Sequence, residues 1–292
     1  MSGRVAALDS LGVPTTLRET ENNGMDREVL ATPAVLATAT LFGVRIAINA
    51  RGAIPIDLVA LQEWLVPLTA LVCAGSLLAI AVLDGEGHET VGLAFVGVFG
   101  MAGTIARPAY VPAVVAIVAG TALATGDRLL AVRDRRLGPT LVASLLVCGL
   151  TASLIGTFGI EPATTRSVGS QLTLLGIAGT PVFLARGRAD WLFGALGAGL
   201  LVALGVIAPF LLGATGLVAG AIVGASVPVM ALAVGGLTTT ASAALRRRHH
   251  AAALGTGLLL FAGIPATVPR ALALVLALAL LVGALPGGVI DA

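Results

Sequence analysis

Lysine is absent from this chain: all seventeen basic residues are arginine. Charge of either sign is scarce. Only 11% of the 292 residues are charged and the formal net charge is +2, against about 25% charged in an ordinary soluble domain. So small a charge gives no electrostatic basis for nucleic-acid binding. The arginine-only usage reads as the codon bias of a GC-rich genome, not as mechanism. Aromatics make up 4% of the chain, so aromatic belts at a membrane surface are weak. The two cysteines, Cys73 and Cys148, both fall inside apolar runs. That excludes a disulfide or metal framework and leaves small apolar packing residues.

What is present is apolar sequence. Hydrophobic residues reach 57% and the mean hydropathy is +1.02. They come in runs long enough to span a bilayer core, which needs about 20 residues. The runs are apolar all round, where a soluble core helix would be striped. The expected fold class is all-α: a polytopic integral membrane helical bundle of about ten transmembrane helices, with eight as the lower count. The spans fall near 30–50, 64–83, 91–106, 108–125, 139–158, 168–185, 191–210, 214–235, 251–267 and 270–288. The third and fourth meet at Arg107-Pro108, the ninth and tenth at Pro269-Arg270.

Residues 1–28 read as a disordered cytoplasmic tail, and Met25 is a candidate alternative start. Residues 29–290 read as a single transmembrane domain, divisible into five-helix halves at 29–158 and 167–288. An odd number per half permits inverted repeats, although no residue-level match joins the halves. Arginine density sets the orientation. Arg128, Arg133, Arg135 and Arg136, then Arg186 and Arg188, then Arg246, Arg247 and Arg248 all follow even-numbered spans. The opposite connections hold Arg51, Arg107, Arg166 and Arg270, one each. The expectation is a cell-membrane protein with both termini in the cytoplasm.

The stretch LDGEGHETVG, residues 83–92, looks most like chemistry, with Asp84, Glu86, His88 and Glu89 close together. His88-Glu89 opens like the zinc-protease pattern H-E-x-x-H, but Gly92 stands where the second histidine belongs. Asp84-Gly85 opens like a CDP-alcohol phosphotransferase signature, but no further aspartate follows before Asp127. A short solvated turn remains. No catalytic residue, metal set or cofactor site is expected, and no phosphate-binding loop is present.

Other candidates are of three kinds. Arg45 is the clear charge inside a span, and Asn49 lies one turn on along the same face. Together they make a candidate polar cavity, unless Arg45 snorkels to the surface. Arg133, Arg135, Arg136, Arg246, Arg247 and Arg248 are candidate cytoplasmic contacts to lipid phosphate or to a partner. The 126–138 segment could form an interfacial helix. Gly216, Gly220 and Gly224 form a small-residue ridge for helix packing, with further glycines at 97, 100, 103, 194, 197 and 199. Breaks are expected at Gly179-Thr180-Pro181, Pro209, Pro228 and Pro265.

The length and ten-span plan resemble the drug/metabolite transporter superfamily over most of the chain, and no motif carries any residue across. The span count, the glycine ridges and the broken helices point to a permease-like protein that moves a small solute. The other functional class is a non-catalytic scaffold docking membrane or cytoplasmic partners through its arginine-rich loops. A lipid-modifying enzyme ranks third, because no carboxylate or histidine constellation supports it.

Overall fold

A computed structural model describes residues 15–49, 58–85, 87–106, 110–133, 137–156, 161–207, 227–260 and 267–285. Its helices are α1 (Thr15–Asn49), α2 (Val59–Leu83), α3 (His88–Ile105), α4 (Tyr110–Arg133), α5 (Leu137–Ile155) and α6 (Pro162–Gly179). They continue with the short α7 (Pro181–Leu184), α8 (Arg188–Ile207), α9 (Val227–Arg246), α10 (His250–Leu260) and α11 (Thr267–Gly283). Among the described residues there is no strand. Among the described residues eight spans are long and apolar enough to cross a membrane, with α6 and α7 counted as one; α10 and α11 are shorter apolar helices. The protein is an integral membrane helical bundle.

The breaks follow local chemistry. Between α2 and α3, Gly87 adopts φ +52°, a left-handed conformation that glycine takes without steric cost. Pro162 opens α6 in its first turn, where a missing N–H loses nothing. At Thr180-Pro181 the span is interrupted: α6 stops, the Thr180 N–H bonds Ile177 O at 3.1 Å, and α7 restarts at the proline. Pro33 and Pro67, by contrast, are carried inside α1 and α2.

Two expected boundaries differ. In place of the span expected over 214–235, the described residues hold a helix at Val227–Arg246 with Pro228 in its first turn; residues 214–226 lie outside the described residues. The ridge Gly216, Gly220, Gly224 lies outside the described residues, as do Pro209 and Pro265. Residues 126–133 continue α4 instead of leaving it as an interfacial helix.

α11 sits at the centre. It contacts α1, α2, α3, α4, α5 and α10, and its residues from Pro269 to Val282 are all buried. A helix apolar on every side needs such enclosure or lipid. In lipid, packing relies on close van der Waals fit, and glycine supplies it. A Cβ at Gly92 on α3 would lie 2.5 Å from Ala124 N and Gly120 O on α4. Gly149 and Gly169 bring α5 and α6 together in the same way, and Gly194 brings α8 onto Gly235 and Thr239 of α9. Gly97 meets Leu78 and Gly100 meets Leu272, whereas Gly199 has open space around it. α8 is the most peripheral span, with 11% of its apolar window buried. Its exposed face carries Trp191, Leu192, Leu196 and Leu200, as lipid contact requires.

Candidate functional site

The charges that the spans exclude gather at one end of the bundle. α1 enters its apolar stretch at Arg27, α2 ends at Asp84, Glu89 lies in the first turn of α3, and Arg128 lies near the end of α4. Successive spans run in opposite directions, so all four come to the same end. There Arg27 Nε donates to Asp84 Oδ2, and Arg27 Nη1 donates to Glu89 Oε1 at 3.1 Å. Arg128 Nη2 donates to Glu89 Oε2 at 2.8 Å. The side chains of Arg27, Asp84 and Glu89 are 10%, 5% and 9% exposed, while Arg128 is 37% exposed. Two guanidinium groups thus face two carboxylates. The set is neutral, which is the condition for holding charges away from water. It ties α1, α2, α3 and α4 together.

Asp190, in the first turn of α8, organises a second set at the same end. Its side chain is 1% exposed. Oδ2 accepts the backbone N–H groups of Arg186 at 3.1 Å and Gly187 at 3.2 Å. This is the reach-back of an acidic third helical residue onto the free donors of its own helix start. Oδ1 accepts from Arg246 Nη2, and Oδ2 from Arg247 Nη2 at 3.3 Å, both at the end of α9. Arg246 also lies over the Phe193 ring, 5.8 Å from its centroid. Desolvation, then the like charges of Arg186 and Arg246, lowers the Arg247 pKa below the ordinary guanidinium value. Cation exceeds anion here, and Arg248 stays exposed with φ +57°.

The LDGEGHETVG stretch is therefore not a simple wet turn. His88 is surface-exposed and bonds Asp127 Oδ2 through Nδ1 at 2.7 Å. Asp84 and Glu89 point inward onto arginines of α1 and α4. Glu86 lies outside the described residues. Motif spacing along the chain does not express these contacts, because the partners lie on other helices. Asp190 drew no notice in sequence, though an acidic residue in the first turn of an apolar run is a readable signal.

At the opposite end two arginines on helices, Arg45 and Arg270, lie at least partly away from the surface. Arg45, near the end of α1, is half-buried, and its Nε has no hydrogen-bond partner among the described residues. Asn49 closes α1, and its side chain, with the candidate polar cavity, lies outside the described residues. Arg270 does not lie in a connecting loop. It sits in the first turn of α11 and is 8% exposed. Its Nη2 is 3.5 Å from Thr173 Oγ1 of α6, and its Nε has no partner among the described residues.

Of the candidate contact arginines, Arg246 and Arg247 serve the Asp190 set, while Arg133 and Arg248 are free at the surface. Arg135 and Arg136 lie outside the described residues. Cys73 is buried and Cys148 faces outward. A shallow open groove of about 460 Å³ lies between α1 and the α9–α10 junction, lined by Glu28, Thr32, Leu245, His250, Ala253 and Leu254. No group of three or more His, Cys, Asp or Glu suited to a metal occurs among the described residues.

No curated protein and no solved structure matches the chain. A match to a family of integral membrane proteins runs from residue 27 to residue 282, from the arginine of the first ion-pair set through Arg270 to the end of α11. The chain therefore belongs to the integral membrane family of unknown function DUF8068.

Proposed function

We propose that the protein is a permease-like carrier of a small solute, with its ion-pair sets acting as the closure of one end. The carrying observation is the placement of its charges. Two separate interhelical sets lie at one end, one joining α1–α4 and the other joining α8 to α9. Both are made of side-chain bonds that can part without unfolding a helix. Toward the other end, buried polar groups stand unpartnered among the described residues. A bundle sealed at one end and polar within the other half fits a carrier with one gate closed. The glycine contacts between α3 and α4, α5 and α6, and α8 and α9 hold each pair together, so that a pair can move as one unit. By arginine density the sealed end is cytoplasmic, both termini lie there, and the membrane is the cell membrane.

A second reading has its own observation. Arg133, Arg248, His249 and His250 are exposed at the sealed end, where they suit docking to a partner or to phospholipid. On that reading the bundle is a scaffold and no solute crosses.

Accessibility separates the two. In a background with Cys73→Ala and Cys148→Ala, Thr173→Cys is treated with a membrane-impermeant thiol reagent from each side. The carrier reading expects labelling from the side opposite the arginine-rich end. It further expects Asp190→Asn to admit reagent from the arginine-rich side. Protection from both sides in both backgrounds overturns the carrier and leaves the scaffold.

A further inference from the structure

We propose that Arg270, with Thr173 and Ser153, forms a binding site for a small oxyanion, of the carboxylate class or its inorganic analogues. This names the solute class for the carrier reading, yet binding is measured here apart from transport. Arg270 is enclosed by protein: it is 8% exposed, and its neighbours Pro269 and Ala271 are buried too. A snorkelling arginine would show its head at the surface. It also lies in the first turn of α11, the positive end of that helix. The helix dipole thus adds to the guanidinium charge instead of offsetting it.

No carboxylate among the described residues pairs with it. The acidic sets of Asp84, Glu89 and Asp190 are at the other end of the bundle, already engaged. Glu161 precedes α6, about 18 Å along the helix from Thr173, and Glu63 on α2 is exposed. An isolated cation in a low-dielectric interior is costly unless an anion or water compensates it.

The guanidinium edge that remains open is the one suited to an oxyanion. Nε is unpartnered among the described residues, and Nη2 has only the long 3.5 Å contact to Thr173. Those two nitrogens present parallel N–H bonds, the fork that grips two oxygens of a carboxylate or phosphate. One hydroxyl, Thr173, touches the guanidinium, and a second, Ser153, lies at the same α5–α6 contact. Thr173 is buried and donates to Gly169 O at 2.8 Å. Ser153 Oγ faces that same Gly169, lying 2.5 Å from where its Cβ would stand, and has no partner among the described residues. An oxyanion would satisfy the Nε donor, and a hydroxyl donor where it reaches one.

The test uses the purified full chain, stripped of lipid in neutral detergent, with acetate, sulfate or phosphate added at constant ionic strength against chloride. Its readout is the thermal midpoint of unfolding. A ligand that binds only the folded state raises that midpoint with concentration, on the order of 5 °C well above its Kd. Wild type is expected to show this rise. Arg270→Gln is expected to lose it while being no less stable than wild type without oxyanion, because an unpaired charge has gone. Thr173→Val and Ser153→Ala keep the charge: Ser153→Ala is expected to weaken binding about tenfold, the loss of one hydrogen bond, and Thr173→Val to weaken it by removing the hydroxyl that positions Nη2. These two keep the test decisive if Arg270→Gln does not fold. A phospholipid that co-purifies with wild type and not with Arg270→Gln, seen by native mass spectrometry, identifies the oxyanion as a headgroup phosphate; its absence identifies a free solute. A flat response in wild type, an equal response to chloride, or an unchanged response in Arg270→Gln overturns the site. A response that appears only in Asp57→Asn also overturns it, by showing that Asp57 of the α1–α2 connection is the partner. Oxyanion binding with Thr173→Cys sealed from both sides would retain the site and remove the carrier.

Discussion

Glu89 offers the sharpest test of whether the sealed end is held by charge. Glu89→Gln keeps the shape and removes the charge. The residue holds Arg27 through one oxygen at 3.1 Å and Arg128 through the other at 2.8 Å. Breaking a buried pair by removing one partner costs about 3–5 kcal/mol. Two features place this case at the lower end. Arg27 keeps Asp84, and Arg128 is 37% exposed and can turn to water. The expectation is about 3 kcal/mol for Glu89→Gln and about 1.5 kcal/mol for Arg128→Gln, between an exposed pair and a buried one. The double variant leaves Arg27 and Asp84 as a neutral pair. Its cost should therefore fall short of the sum by about 1–2 kcal/mol, the coupling of contacting charges. Thermal unfolding in detergent, followed by size-exclusion fluorescence, reads this as a fall of about 6 °C or more for Glu89→Gln, at roughly 2 °C per kcal/mol for a large chain. A fall under about 1 °C, or costs that simply add, would refute a charge-balanced latch.

Other outcomes follow from the same geometry. Asp190→Ala removes the acceptor of two backbone N–H groups and two guanidinium groups, and should cost about 2–4 kcal/mol in unfolding measurements. Arg248→Gln, exposed on the same helix end, should stay within about 0.5 kcal/mol in the same assay. Gly92→Val drives a side chain into the backbone of α4 and should lower the yield of monodisperse protein or cost more than about 3 kcal/mol; Gly199→Ala, with open space around it, should be neutral by the same chromatography. A membrane-permeant maleimide should label Cys148, which faces outward, well before Cys73, which is 0% exposed; mass spectrometry of each peptide over time checks the order.

The architecture was readable because bilayer thickness acts on composition directly. Runs near 20 apolar residues and their arginine-bearing breaks suffice to place α1–α6. The eighth span slipped because 208–235 is apolar almost throughout. Hydropathy there gives no edge, and the end is fixed instead by Arg246 at the close of α9. The site was far less legible. Arg27 looked like part of a polar tail, since nothing local shows that its partners stand 57 and 62 positions away. Asp190 pairs with residues 56 and 57 positions on. Arg270 looked like a loop residue because Pro269 precedes it, yet that proline lies in the first turn of a helix, where it fits. Only the glycines of 92–100 and 194–197 carried packing information that local spacing could express.

Stability alone is a poor reason for these charges. A buried ion-pair set gives little net stability against an apolar packing of the same volume, and often less. The centre of this bundle shows that the sequence can build such packing: α11 is buried on all sides by apolar contacts over most of its length. Among the described residues the ion pairs are instead confined to one end, where they join α1–α4 in one set and α8 with α9 in another. Helix pairs inside each group are also locked by glycine contacts too close for water. A contact that must stay shut is best made of such packing. A contact that must open and then reclose in register is better made of paired charges, which water can solvate when they part and which find the same partner on return. On the carrier reading Asp190 and Glu89 would control opening, and Arg270 would lie within the half they close off. Labelling of Thr173→Cys should then respond to Asp190→Asn and to Glu89→Gln in the same direction. Opposite responses, or none, would mean that the two sets do not guard a common space.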